Sequence, residues 1–354
     1  MRLKANVEPI PAYSPGKSRP GAIKLSSNEN PLGPSPAAIE AITGAAAHVH
    51  VYPDALGRPL LDTLADRLGL DSDRLIIGNG SDELMALACA AYLNAGENTV
   101  SAEHTFSQYE FATRLYAGEY RPAPMNNLTF HIDAILEATD ERTRIIWLCN
   151  PNNPTGTMIP EAQVRRVLEL VGRDTLVVVD EAYSDYVDSP DFPDSRSLVD
   201  EFPNLLVLRT FSKVYGLAAL RVGYGFGSSE VVSGLRRVKQ PFNSNAIALA
   251  AADAALSDTG FRKQSLELNR TQRDRMSEFF RQHKLPYIES QANFVTVDPG
   301  IPAKRFFELM LSEGVAVRPL DSFALPNMAR ITVGTEEQVD RLFEAFSAVT
   351  TFGG

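Results

Sequence analysis

Four apolar runs of strand character in this 354-residue sequence end in residues that can do chemistry. Asp180 closes Thr175-Leu-Val-Val-Val-Asp180 and is followed by Glu181-Ala-Tyr183. A carboxylate there lies at the carboxyl edge of a buried parallel strand, where open α/β folds bind ligands. It would equally serve as the N-cap of a following helix. Lys213 closes Asn204-Leu-Leu-Val-Leu-Arg-Thr-Phe-Ser-Lys213, with Thr210 and Ser212 beside it and Arg221 eight residues on. A lysine in such a place is usually solvated, but beside an electrophilic cofactor burial can lower its basicity so that its amine forms a Schiff base. The two hydroxyls and the guanidinium are then suited to an anionic group such as a phosphate. Asn153, in Cys149-Asn-Pro-Asn-Asn-Pro-Thr-Gly156, offers an amide pinned by Pro154 in a segment that also reads as an ordinary turn. Gly78-Asn-Gly-Ser-Asp-Glu83 is a glycine turn opening a helix, whose free N–H groups attract phosphate. Ser81 and Asp82 would cap a helix there in any case.

The elements that must position these residues follow from periodicity. Short runs at 75–77, 99–100, 144–148, 175–179, 204–208 and 221–226 alternate with helix-like stretches at 82–93, 106–117 and 160–171. That alternation predicts an α/β fold whose large-domain sheet is mainly parallel, with helices on both faces. Residues 1–36, dense in Pro, Gly, Ser and Asn, read as an extended arm. Residues 37–238 form the large domain and 239–354 a smaller α+β domain. The latter opens on one long helical stretch at 244–283, followed by a strand at 293–297, a helix at 302–313 and short runs at 315–317 and 329–333.

With 34 Lys and Arg against 44 Asp and Glu, the net charge is −10, which disfavours nucleic acid and anionic membranes as partners. A hydrophobic fraction of 44% rules out a disordered chain. Cys89 and Cys149 sit in apolar runs, as buried thiols of a reducing compartment do. No apolar stretch approaches 18 residues and the N-terminus lacks an apolar signal core, so a soluble, cytoplasmic protein is expected. The five histidines show no metal-ligand spacing.

In combination, Asn-Pro-Thr-Gly, Asp-Glu-Ala-Tyr and Thr-Phe-Ser-Lys occur here in the order found in the aspartate-aminotransferase-like, pyridoxal-5'-phosphate-dependent enzymes of fold type I, which the chain resembles. The likeness narrows to the histidinol-phosphate aminotransferase family. It rests on Leu25-Ser-Ser-Asn-Glu-Asn-Pro31, Tyr52-Pro-Asp54, Gly78-Asn-Gly-Ser-Asp-Glu83, Leu208-Arg-Thr-Phe-Ser-Lys-Val-Tyr-Gly-Leu217, Leu220-Arg-Val-Gly-Tyr224 and Ala329-Arg-Ile-Thr-Val-Gly-Thr335.

The resemblance implies pyridoxal 5'-phosphate as cofactor and assigns roles residue by residue. Lys213 would bind the cofactor covalently and later shuttle a proton, Asp180 would pair with the pyridine nitrogen, and Asn153 and Tyr183 would bond the ring's phenolic oxygen. Phe106, where the family often has tyrosine, would stack on the ring. Thr210, Ser212 and Arg221, with the backbone at Ser81 and Asp82, would hold the phosphate, joined by Tyr52 from the neighbouring subunit of a homodimer. Arg330 and Arg318 would bind substrate anions, and Tyr13 and Asn28 in the arm would face the substrate. The implied reaction moves an amino group between histidinol phosphate and 2-oxoglutarate. Aromatic amino acids are the alternative substrates, and threonine-phosphate decarboxylation is a more distant alternative.

Overall fold

The structure, a computed structural model, describes residues 1–12 and 19–350. The arm contributes β1 (Ile23–Lys24) and leads into α1 (Pro36–Ala46), capped by Ser35, whose hydroxyl accepts from Ala38 N at 3.2 Å. After α2 (Leu60–Leu68) the chain alternates strand and helix: β2 (Leu75–Gly78), α3 (Ser81–Tyr92), β3 (Asn98–Ala102), α4 (Gln108–Leu115), β4 (Glu119–Ala123), α5 (Ile132–Glu137), β5 (Thr143–Cys149), α6 (Glu161–Leu170) and β6 (Leu176–Asp180). Then follow α7 (Ser195–Glu201), β7 (Leu205–Thr210), β8 (Gly223–Gly227) and α8 (Ser229–Val238).

These strands form one seven-stranded sheet in the order β2-β8-β7-β6-β5-β3-β4. Only β8 runs antiparallel to its neighbours β2 and β7. Helices cover both faces, so Ile145 to Leu148, Val177 to Val179 and Leu205 to Leu208 are all buried. Burial on two faces is why these strands read as unbroken apolar runs in the sequence. The edge strand β4, Glu-Tyr-Arg-Pro-Ala, carries polar residues and Pro122, which an edge tolerates and a central strand does not.

The single helix expected over 244–283 is two, α9 (Ala246–Ser257) and α10 (Thr259–Gln282). The break falls at Asp258, whose carboxylate accepts from Phe261 N at 3.1 Å and so caps α10. Alanine-rich α9 buries Ala248, Leu249, Ala251 and Ala252 in the core of the large sheet, whereas α10 sends Met276 and Phe280 into a second core. The change of core therefore lies near residue 258, between α9 and α10.

The second core is completed by β9 (Tyr287–Ile288), β10 (Phe294–Val297), α11 (Ala303–Ser312), β11 (Val315–Ala316), β12 (Arg318–Leu320), β13 (Leu325–Thr332) and α12 (Glu336–Val349). Strands β12-β13-β10-β9 make an antiparallel sheet. The arm is tied to this part: β1 pairs in parallel with β11, and Leu25 is buried in its core. Among the described residues no helix is long and apolar enough to cross a membrane.

Phe306 is fully buried, its ring 4.8 Å from that of Phe346. Phe306→Ala is expected to destabilise this region by about 3–5 kcal/mol, through lost burial and the cavity left behind. A urea titration would read this, and an unchanged midpoint would contradict the packing described.

Candidate active site

The carboxyl ends of β5, β6 and β7, the N-terminus of α3, the arm and the edge of the small sheet enclose one cavity of about 500 Å³. It collects Ser81, Asp82, Phe106, Asn153, Asp180, Tyr183, Thr210, Ser212, Lys213, Arg221, Asn28, Arg318 and Arg330.

Asp180 is the last residue of β6 and is 2% exposed. Its Oδ2 accepts from the Tyr109 hydroxyl at 2.7 Å, and its Oδ1 from Ala182 N at 3.2 Å. Burial pushes the carboxyl pKa up to about 6, and the Tyr109 hydrogen bond opposes that shift. A buried carboxylate with no basic partner is costly unless a cation meets it. Lys213, three residues beyond β7, holds its ammonium 5.4 Å from the centre of the Tyr183 ring. Burial, reinforced by the nearby Arg330 charge, lowers its pKa to about 8.

The anion cradle is built where α3 begins. Gly80, with φ 81°, precedes the helix and supplies no side-chain cap, so the first N–H groups stay open. A Cβ at Gly80 would lie 2.4 Å from Arg221 Nη2, so only glycine lets that guanidinium reach the helix end. Arg221 donates to Ser212 Oγ at 3.2 Å and to Asp82 Oδ2 at 3.0 Å. Thr210 Oγ1 donates to Ser212 Oγ at 3.0 Å.

Opposite strand residues Arg318 and Arg330 face each other across β12 and β13. Like charges directly opposite are unfavourable, and neither guanidinium has an acidic partner among the described residues. Arg330 is 7% exposed, and its Nη2 donates to Ser26 O at 2.9 Å while its Nη1 donates to Asn153 Oδ1. Its Nε has no partner among the described residues. Burial, with the Arg318 charge adding to it, lowers this guanidinium to about 10. The pair has the character of an anion site.

Asn28, at φ 57°, turns its amide inward to donate to the Tyr183 hydroxyl at 3.0 Å. Its own backbone N–H donates to Thr332 Oγ1 at 2.9 Å, which fixes the arm to β13. Phe106 forms part of the cavity wall, its ring edge-on to Tyr109 at 5.8 Å. Tyr52 is not brought into the cavity of its own chain: it is 80% exposed and stacked on Phe242 at 4.9 Å. Tyr13 lies outside the described residues.

Tyr109 is a site residue that sequence reasoning missed. It stacks on Trp147 at 5.2 Å and, being fully buried, gives Asp180 its only side-chain partner among the described residues. Its one signal in the sequence is its place three residues after Phe106, at the start of α4. Phe323 was missed too; it lines the cavity from the turn between β12 and β13, and its carbonyl bonds His104 Nδ1 at 2.7 Å.

A sheet of this order with its reactive groups at the strand ends is the architecture of the aspartate-aminotransferase-like enzymes. Residues 20–346 match the family model for aminotransferase class I and II, and the chain belongs to that family. It is 42% identical to a histidinol-phosphate aminotransferase of Geobacillus thermodenitrificans, covering 98% of each chain. It is 44% identical to histidinol-phosphate aminotransferase 2 of Pseudomonas fluorescens, over 92% of this chain and 88% of the relative. Among solved structures, the histidinol-phosphate aminotransferase of Sinorhizobium meliloti, in complex with pyridoxal-5'-phosphate, superposes with a TM-score of 0.88 at 26% identity, over 99% of this chain and 98% of that one.

Proposed function

We propose that this protein is a pyridoxal-phosphate-dependent transaminase that exchanges an amino group between histidinol phosphate and 2-oxoglutarate, giving imidazole-acetol phosphate and glutamate in histidine biosynthesis. The observation that carries the substrate assignment is the facing pair Arg318 and Arg330, a second anion site in the same cavity as the Arg221 cradle. Glutamate presents a carboxylate and histidinol phosphate a phosphate, and a guanidinium fork accepts either.

The residues fit the cofactor. Gly80 leaves the cradle open for a phosphate, Asp180 is a buried carboxylate lacking a cation, and Lys213 is an amine without an ion-pair partner among the described residues. When bound, pyridoxal phosphate supplies an electrophilic aldehyde and a ring that withdraws electrons from the substrate Cα.

This chain's own groups do the rest. Arg221, Ser212, Thr210 and the first N–H groups of α3 bind the phosphate and orient the ring. Asp180 keeps the ring nitrogen protonated, and Tyr109 holds that carboxylate in place. Lys213, its amine lowered to about 8, would be the residue that anchors the cofactor and, once free, the base that takes the proton from the substrate Cα. Tyr183, held by Asn28, and Asn153 are the donors for the ring's phenolic oxygen, and Phe106 covers one ring face.

A cytoplasmic homodimer completes the proposal. Tyr52 and Phe242 are exposed and stacked together, and Val49 and Val51, close by in sequence, are exposed as well. Such an apolar patch supports a subunit interface, from which Tyr52 would reach the neighbour's phosphate cradle.

Arg330→Ala is expected to raise KM for glutamate and histidinol phosphate together by about 10-fold or more, since one guanidinium serves both anions. Steady-state kinetics with each substrate checks this, and a change confined to one would mean separate sites. The assignment itself is tested by kcat/KM for histidinol phosphate and phenylalanine on one preparation. Preference for phenylalanine would make it an aromatic aminotransferase. Carbon dioxide release from threonine phosphate without a keto acid would make it a decarboxylase.

A further inference from the structure

Five segments distant in sequence meet beside Asn28: Asn30 and Pro31 of the arm, Tyr186 after β6, Ser265 and Asn269 on α10, Asn293 just before β10, and Val333 just after β13. They enclose a cavity of about 10 Å³. That is close to the space one water molecule occupies, roughly 10–15 Å³ by the same measure.

Two acceptors in this wall lack donors. Asn269 Oδ1 and Asn293 Oδ1 belong to side chains 6% and 2% exposed, and neither has a hydrogen-bond partner among the described residues. Their amides cannot turn round to mend this. Asn269 Nδ2 donates to Ala292 O at 3.4 Å and Asn293 Nδ2 to Asn28 O at 3.0 Å, so a flip would set carbonyl against carbonyl. Buried carbonyl groups of this kind are rarely left unpaired.

We infer that one water molecule binds here, donating one O–H to Asn269 Oδ1 and the other to Asn293 Oδ1. Its two donors match the two orphan acceptors. A calcium or magnesium ion would require about six or more oxygens, which this wall does not offer. Ser265 Oγ already accepts from Asn30 Nδ2 at 3.0 Å and keeps its own proton to give to the water.

The molecule joins α10 to Asn293, which in turn holds the carbonyl of Asn28, whose amide donates to Tyr183 in the active cavity. It thus braces the joint between the arm, α10 and the cavity wall. The inference stands apart from the reaction catalysed.

The test is a high-resolution crystal structure of the cofactor-loaded enzyme and of its Asn269→Leu variant. The wild-type map should show one isolated peak about 2.7–3.2 Å from both Oδ1 atoms, and the variant should lose it. Absence of the peak in wild type, a peak ringed by metal-length contacts, or either amide turned the other way would overturn the inference. The wild-type map decides the matter alone if the variant fails to fold.

Discussion

Lys213→Ala is expected to abolish transamination and, with it, the visible absorbance of the covalently held cofactor. Loss of the proton-transferring amine alone should cost about 10²–10⁴-fold in kcat, and loss of covalent capture adds to that. Phosphate contacts from Arg221, Ser212 and Thr210 are untouched, so the variant should still bind pyridoxal phosphate, now reversibly. Absorbance titration and single-turnover assays on the purified variant read both effects. Residual turnover above about a tenth of wild type would contradict the role given to Lys213.

Asp180→Asn carries the second large effect. The amide keeps the shape of the side chain and its contact with Tyr109 but not the negative charge. The ring nitrogen would lose its counter-charge, and kcat should fall by about 10²–10³-fold while cofactor binding persists. Near-normal turnover would contradict the electrostatic role.

The same substitution has a pH signature in the cofactor-free protein. The folded carboxyl is raised to about 6 from its ordinary value of 3.8, because burial disfavours its charge. The folded state therefore holds this proton more tightly than the unfolded chain. The stability it contributes is full below about pH 4 and is lost as pH rises through about 6. The amide has one acceptor oxygen where the carboxylate has two, so it cannot accept from both Tyr109 and Ala182 N, a cost that does not vary with pH. The stability of cofactor-free Asp180→Asn relative to wild type should therefore rise between pH 4 and pH 8, by an amount on the order of 2–3 kcal/mol at most. Urea midpoints of both proteins at the two pH values check the sign, and a relative stability that falls with pH would contradict it.

How far the sequence revealed the site depends on what each residue needs. Lys213 and Asp180 could be located because a central strand buried on both faces is an apolar run, and the polar residue ending it marks the sheet edge. Gly80 was visible as part of a turn, but its reason is that a Cβ there would lie 2.4 Å from the guanidinium of Arg221, 141 positions away, which only the fold displays. Arg318 and Arg330 were each nameable, yet their pairing depends on the register of β12 against β13.

Tyr109 was hidden because a buried tyrosine on a helix looks like core until its hydroxyl is seen on Asp180. The break at Asp258 was missed because apolar periodicity continues from α9 into α10, and the cap that interrupts it is a single side chain. Strand β4 escaped because an edge needs little apolar character. Tyr52 shows the other limit: the resemblance marks it as a phosphate ligand, yet the fold leaves it exposed and outside its own chain's cavity.

The most direct test of the central claim is a single-turnover mix of cofactor-loaded enzyme with histidinol phosphate, and in parallel with phenylalanine, without any keto acid. The account predicts rapid, stoichiometric conversion of the cofactor to its amine form with histidinol phosphate, one equivalent of imidazole-acetol phosphate, and much slower conversion with phenylalanine. Conversion with phenylalanine but not with histidinol phosphate would contradict the substrate assignment. No conversion with either amine would contradict the transaminase itself.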